Sequence, residues 1–471
     1  MNDKKITWVL LFIGALFLSL IVYLTSIEIL YNDEYTSSNL NTRSLMREEN
    51  VMRGTIYDRN GEVLAYSKMD GEVQKRYYPH INLYSHAIGY SSKTYGKSFI
   101  EKNYNSYLLG EDGLNSVFNI KKLLSGEKSD GNDLHLTLDH KTQKRAHSLM
   151  SRYKGALVAL NAETGEVLAM VSKPDFNPNE TYLTRSWASL NENQDSPFLN
   201  RATMGLYPPG STFKMITTAL LVNQGLDGEI VNDETGKADI GGHVISNTKN
   251  SVLGETDIEK AFIRSSNVYF ATVGAKVNWS AFKNMASSFM FNRKLDFDFP
   301  YTTSKFSTTP LGKADLAVTS IGQGKTLVSP LHLAMITASF ANEGKMMKPY
   351  IVSSVTAPGG TKILTNTPTT LSTAVSKSEA EAVKNLMIET VERGTGTNAK
   401  IWGMEIGGKT GTAENEKTSE DPEKTHALFV AFAEFEGEKI AVSVILEYAG
   451  STGGSIAAPI AREVIRTYFS Y

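Results

Sequence analysis

Residues 6–27, ITWVLLFIGALFLSLIVYLTSI, contain no charged side chain. Coiled into a helix at 1.5 Å per residue, such a run is roughly 33 Å long, enough to cross a hydrocarbon layer of about 30 Å. The apolar region of a secretory leader is usually shorter, about 7–15 residues, and ends in a small-residue cleavage site. Here YLTSIEIL matches such a site poorly. A buried helix of a soluble domain is the alternative. Lys4 and Lys5 precede the run, and Glu28, Asp33 and Glu34 follow it. The positive-inside rule then puts residues 1–5 in the cytoplasm as a short tail and the chain from residue 28 onward outside. No second run of this kind occurs, so the expectation is a single-pass membrane protein with an anchor at 6–27 and a large extracytoplasmic part.

At about 100–200 residues per domain, 471 residues suggest two or three domains. Apolar and charged contents of 41% and 21% are those of an ordinary globular protein. The net charge of −2 argues against a nucleic-acid partner, which calls for a basic field. With no cysteine, disulfides and thiolate metal sites are excluded. The eight histidines show no HExxH spacing. His135 and His140 lie five apart beside Asp139, a spacing that could hint at a metal, with polar surface residues as the favoured reading. No metal and no cofactor are expected.

Two hairpins are legible. In RGTIYDRNGEVLAYS, residues 53–67, the turn residues Asp58, Asn60 and Gly61 separate two short alternating runs. In GALVALNAETGEVLAMVS, residues 155–172, two apolar runs meet across Asn161 to Gly165. Between them, residues 68–130 are tyrosine- and turn-rich and read as irregular structure with short strands, DLHLTLD at 133–139 alternates like a strand, and HKTQKRAHSLMSRY reads as a helix. The domain boundary is placed near residue 152. Beyond it come helical segments beginning at STFKM, on both sides of Ser265, at SPLHLAM and at SEAEAVK. Three strands follow (MEIGGKTGTAE, HALFVAFAEF, KIAVSVILEYA), then a closing helix, IAAPIAREVIRTYF. The order hairpin, helices, strands, helix predicts an α+β domain whose terminal segments form an antiparallel sheet with helices on its faces.

Three short motifs carry chemistry. In PPGSTFKM, Ser211 and Lys214 are three apart, so a helix would set hydroxyl and amine on one face. A lysine with a depressed pKa can then take the serine proton. The first helical turn also offers free N–H groups to an oxyanion. The spacing alone is weak, because Ser125–Lys128, Ser246–Lys249 and Ser280–Lys283 share it. Ser211 could equally be a plain helix cap. Ser265-Ser266-Asn267 reads either as a second catalytic motif or as a polar kink between helices, and Ser37–Asn39 and Ser189–Asn191 match it too. Lys409-Thr410-Gly411 occurs once and opens a strand-like run, where it could also be a simple turn. What carries weight is the order, SxxK, SxN, KTG, at separations of 54 (211 to 265) and 144 (265 to 409) residues. That set is the signature of penicillin-binding proteins and class A β-lactamases, enzymes that work through an acylated serine.

On these residues, together with RGTIYDRNGEVLA, YPHINLYSHAIGY and GQGKTLVSPLHLA, the chain resembles the class B penicillin-binding proteins, monofunctional D,D-transpeptidases that cross-link peptidoglycan. The resemblance covers nearly all of residues 50–471. It implies an elongated non-catalytic pedestal at 28–152 and a penicillin-binding transpeptidase domain at 153–471. In that fold an antiparallel sheet is flanked by helical clusters, with the active site between the sheet edge and a helical subdomain. It implies Ser211 as nucleophile, Lys214 as its base, Ser265 as proton relay, and Asn267 as a contact to substrate amide and Lys214. Lys409 would keep the field positive beside Ser265. Thr410, Gly411 and Thr412 would bind substrate, and the N–H groups of Ser211 and Thr412 would form the oxyanion hole. Stem peptides and β-lactams would be its ligands and a polytopic glycan polymerase its partner. The rival readings are a D,D-carboxypeptidase, a β-lactamase, and a scaffold for the polymerase whose serine site is dispensable.

Overall fold

The structure is a computed structural model that describes residues 3–36, 51–71, 73–111, 129–415, 418, 421 and 424–471. The parts of the expected pedestal at 37–50 and 112–128, and with them the look-alike motifs Ser37–Asn39 and Ser125–Lys128, lie outside the described residues.

The apolar run lies in a single helix, α1 (Asp3–Thr36), which continues past residue 27. Its stretch Lys5–Tyr23 has a mean hydropathy of 2.5 and is buried nowhere, so it is long and apolar enough to cross a membrane. Trp8, Phe12 and Phe17 on it are exposed.

The first expected hairpin forms β1 (Ile56–Tyr57) and β2 (Val63–Asp70). Asp58 makes the turn by accepting from the Asn60 and Glu62 N–H groups at 2.8 and 2.7 Å. β2 runs on into β3 (Val73–Tyr77), one of the short strands expected in the tyrosine-rich stretch. β4 (Asp133–Leu136) lies parallel to β1, and α2 (His140–Leu149) follows, capped by Asp139, whose side chain accepts from Thr142 N at 2.8 Å. The second hairpin is β5 (Gly155–Asn161) and β6 (Val167–Lys173).

Further along, α3 (Lys214–Asn223), α4 (Ile258–Arg264), α5 (Asn267–Gly274) and α6 (Pro330–Ala341) build the helical part. β7 (Val352–Thr356) and β8 (Lys362–Thr365) then turn back to the beginning of the chain, where β7 pairs with β4. The resulting six-stranded sheet has the order β8-β7-β4-β1-β2-β3. It joins segments on both sides of residue 152.

After α7 (Lys377–Arg393), with its Ser376/Glu379 capping box, β9 (Glu405–Ala413), β10 (His426–Phe435) and β11 (Glu438–Leu446) complete an antiparallel five-stranded sheet of order β6-β5-β11-β10-β9. This is the sheet of terminal segments that the sequence predicts. β5 shows why its sequence is a continuous apolar run rather than an alternating one. Ala156, Val158 and Leu160 face one core with α6, while Leu157 and Ala159 face another with α2 and α8 (Ala458–Tyr468). A strand buried on both faces has no polar side to alternate with. The α+β architecture expected above, an antiparallel sheet with helices on both faces, is the one observed.

Candidate active site

β9 is an edge strand of the five-stranded sheet and brings Lys409-Thr410-Gly411 to the open border facing the helical part. The serine turn is wedged against it. Gly210 has φ +51°, and a Cβ there would sit 2.8 Å from Thr412 O. Gly322, φ +75°, closes the other side: its carbonyl accepts from Gly210 N at 2.9 Å, and a Cβ on it would be 2.0 Å from Gly210 O. Crowding on both sides bends the expected helix start. Instead of an α-helix beginning at Ser211, residues Gly210–Phe213 form a tighter 3-10 turn, and α3 begins only at Lys214.

Ser265 caps the C-terminus of α4 in the left-handed region, φ 60°, and Ser266 caps the N-terminus of α5 by accepting from Tyr269 N at 3.1 Å. The polar kink is therefore real, and it serves to turn the Ser265 hydroxyl inward. Lys214 Nζ donates to Ser265 O at 2.9 Å, to Ser265 Oγ at 3.4 Å and to Asn267 Oδ1 at 2.8 Å. Lys409 Nζ donates to the same Ser265 Oγ at 2.9 Å. The three motifs thus meet on one hydroxyl. No hydrogen bond joins Ser211 Oγ to Lys214 among the described residues.

Both lysines are fully buried and neither forms an ion pair among the described residues. Burial pushes the Lys214 amine well below the usual lysine range, and the charge on Lys409 adds to this. Burial brings Lys409 down to about 7. Each amine instead lies 5.5 Å from an aromatic ring centroid, Phe270 for Lys214 and Phe262 for Lys409.

Above them opens a cleft of about 790 Å³ lined by Ser211, Ser265, Asn267, Thr410, Gly411 and Thr412. Every predicted site residue therefore lies at the cleft or directly beneath it. Thr410 shares a hydrogen bond with Thr395, Oγ1 to Oγ1 at 2.8 Å. Sequence reasoning missed Asn247. Its Oδ1 accepts from the N–H groups of Asn267 and Val268 at 2.8 and 3.0 Å, and its Nδ2 donates to Asp233 at 2.6 Å. It holds the start of α5 in place, but nothing in the local sequence marks it. Asn247→Ala is expected to slow acylation of the site by roughly tenfold to a hundredfold, since leaving a buried donor unsatisfied costs about 1–3 kcal/mol. A penicillin labelling time course checks this, and a rate within about twofold of wild type would remove Asn247 from the site's support.

The profile of the penicillin-binding protein transpeptidase domain matches residues 155–466. The chain belongs to the penicillin-binding protein transpeptidase family. A second profile of the same kind of protein, the penicillin-binding protein A dimerisation domain, matches residues 53–134. The chain is similar to the peptidoglycan D,D-transpeptidase PbpA of Mycolicibacterium smegmatis, 31% identical over 96% of each chain. It is also similar to the peptidoglycan D,D-transpeptidase MrdA of Acinetobacter baumannii, 32% identical over 83% of this chain and 65% of that one. Among solved structures, the ceftriaxone acyl-enzyme complex of penicillin-binding protein A from Mycobacterium tuberculosis superposes with a TM-score of 0.83 at 31% identity, covering 89% of this chain and 99% of that one. In this penicillin-binding protein the five-stranded sheet and the helical part bearing Ser265 flank the cleft, as the family resemblance implies.

Proposed function

We propose that the chain is a D,D-transpeptidase that cross-links peptidoglycan stem peptides through an acyl-enzyme on Ser211, and that β-lactams acylate the same residue. The observation that carries this reading is the pair of buried lysines, without an ion pair among the described residues, converging on the Ser265 hydroxyl beside Ser211. Burying a charge without a counter-ion costs stability, so such an arrangement is expected where chemistry requires it.

In the proposed reaction Ser211 Oγ attacks the carbonyl of the penultimate D-alanine and its proton passes to neutral Lys214. Lys214 binds Ser265 and Asn267 in this structure and engages Ser211 Oγ once a substrate is seated. The N–H groups of Ser211 and Thr412 receive the oxyanion, each worth about 3–4 kcal/mol. As the intermediate collapses, the proton moves through Ser265 to the nitrogen of the departing D-alanine. Thr410 and Thr412 hold the terminal carboxylate at Gly411, and Lys409 keeps that end of the cleft positive. The amine of a second stem peptide then attacks the ester and frees Ser211. A β-lactam follows the first half: its ring amide bond breaks and the acyl group stays on the serine.

Residues 28–152 are proposed as the pedestal and 153–471 as the catalytic domain. Residues 6–27 would hold the protein in the cell membrane with 1–5 in the cytoplasm and the cleft outside, where a polytopic glycan polymerase would meet α1 and the pedestal. The exposed apolar surface of α1 supports this placement.

The test is to incubate the full-length chain in detergent with benzylpenicillin and map the adduct by peptide mass spectrometry. One adduct on the peptide carrying Ser211 is expected. A folded protein that gains none, or gains it elsewhere, overturns the reading.

A further inference from the structure

Outside the cleft, one group of side chains has the composition and spacing of a metal centre. Glu62, His80 and His140 each place a ligand atom within 4.8 Å of the others. They come from three separate pieces of chain: the β1–β2 turn, the loop after β3, and the first residue of α2. His80 Nε2 lies 3.0 Å from Glu62 Oε1. That ring nitrogen is buried and, apart from this contact, has no hydrogen-bond partner. With zinc–ligand distances of roughly 2.0–2.2 Å and tetrahedral angles, two ligands of one zinc ion sit about 3.3 Å apart. The His80–Glu62 pair is already close to that spacing. The two imidazole rings lie 4.6 Å apart, centroid to centroid.

The surroundings hold these groups in position. Asp58, 1% exposed, accepts from Glu62 N at 2.7 Å with one carboxylate oxygen and from His140 N at 3.1 Å with the other. A single buried carboxylate thus fixes the backbones of two of the three residues. The buried Tyr84 hydroxyl engages His140 Nδ1 at 2.9 Å, which fixes the ring and leaves Nε2 for the cluster. An outer partner on the second ring nitrogen is how proteins orient histidine ligands.

We propose that Glu62, His80 and His140 bind a zinc ion, with water completing the coordination. Two imidazoles and a carboxylate suit zinc better than the hard cations calcium and magnesium, which prefer all-oxygen sites. Placed there, the ion ties the first hairpin to the helix that leads into β5. It stabilises this junction and takes no part in chemistry at Ser211. His135, the other histidine of the sequence pair, is elsewhere engaged, stacked on Tyr57 with ring centroids 5.2 Å apart.

The test uses the full-length chain in detergent, stripped with chelator and dialysed against micromolar zinc sulfate, with bound metal measured by atomic emission. The wild type is expected to retain one zinc per chain and to melt at a higher temperature with zinc than without it. His80→Ala and Glu62→Gln are each expected to weaken binding at least about tenfold and to abolish the thermal shift. Glu62 is half-exposed and glutamine nearly matches its shape, so this variant keeps the fold even if the histidine variant does not. Unchanged penicillin labelling verifies folding. A wild type that binds no zinc overturns the proposal, and so does zinc that both variants bind as tightly.

Discussion

Replacing Lys214 with alanine is expected to slow acylation by benzylpenicillin at least about a thousandfold, within the range of roughly 10²–10⁴ attributed to a positioned general base, because the residue also organises its neighbours. Lys214 Nζ is the donor that Ser265 O and Asn267 Oδ1 share, at 2.9 and 2.8 Å. In the proposed mechanism its loss removes the base and loosens the SxN turn together. Lys214→Met keeps most of the side-chain volume and separates the two effects: it should be as inactive as the alanine variant while melting closer to wild type. The measurement is the second-order rate of labelling with fluorescent penicillin. A rate within about tenfold of wild type for either variant would remove Lys214 from the base role. The same assignment fixes the pH profile. In the proposed mechanism Lys214 acts as the neutral amine, and burial together with Lys409 lowers its pKa, so the rate is expected to rise with pH as this amine loses its proton. Lys409 must be cationic, and burial brings it to about 7, so the rate falls above that pH. The two amines share Ser265, and the apparent values belong to the pair.

The second large effect runs in opposite directions for stability and activity. Lys409→Met is expected to abolish acylation and to stabilise the fold by about 2 kcal/mol, given that replacing buried charges with apolar groups of similar volume gains roughly 1–4 kcal/mol. For a protein of 471 residues that is a rise of roughly 2–3 °C in Tm. The sign follows from the proton balance. Between about 7 and the unfolded value of 10.5, the unfolded chain holds a proton on Lys409 that the folded chain lacks. The wild type therefore gains stability as pH rises through this window. The methionine variant's advantage is complete below pH 7 and shrinks towards 10.5. Calorimetric melts at pH 6 and pH 9 check this. A variant that melts lower than wild type at pH 6 would mean that the amine stabilises its pocket.

Much of this was legible in the sequence because it is local. Asp58 and Gly61, and Asn161 and Gly165, mark turns through their own backbone preferences, and the apolar runs beside them could only be strands. Motif order found the cleft although each motif alone was ambiguous. Ser280 and Lys283 share the spacing of Ser211 and Lys214, yet they lie on a separate helix, Trp279–Ser288, away from the cleft. What separates the pairs is burial against β9 and Gly322, which no local pattern encodes. Pairing of β7 with β4 was illegible for the same reason, since strands so far apart in sequence leave no mutual signature. Asn247 and the Glu62–His80–His140 cluster are assembled by tertiary contact alone. The 3-10 turn at Ser211 arises from contacts that Gly210 makes with Thr412 and Gly322.

Both sheets close late, and this governs how the protein comes into being. β4 waits for β7, and the hairpin β5–β6 waits for β11, whose last residue, Leu446, follows Lys173 by about 270 positions. At roughly 5–20 residues per second of synthesis, that hairpin spends about 15–55 s with an unmatched apolar edge. Such long-range closure is slow and prone to mispairing. The nascent chain therefore carries unmatched strand edges until its final strands arrive, and a fragment ending at residue 152 would leave β4 without one of its neighbours.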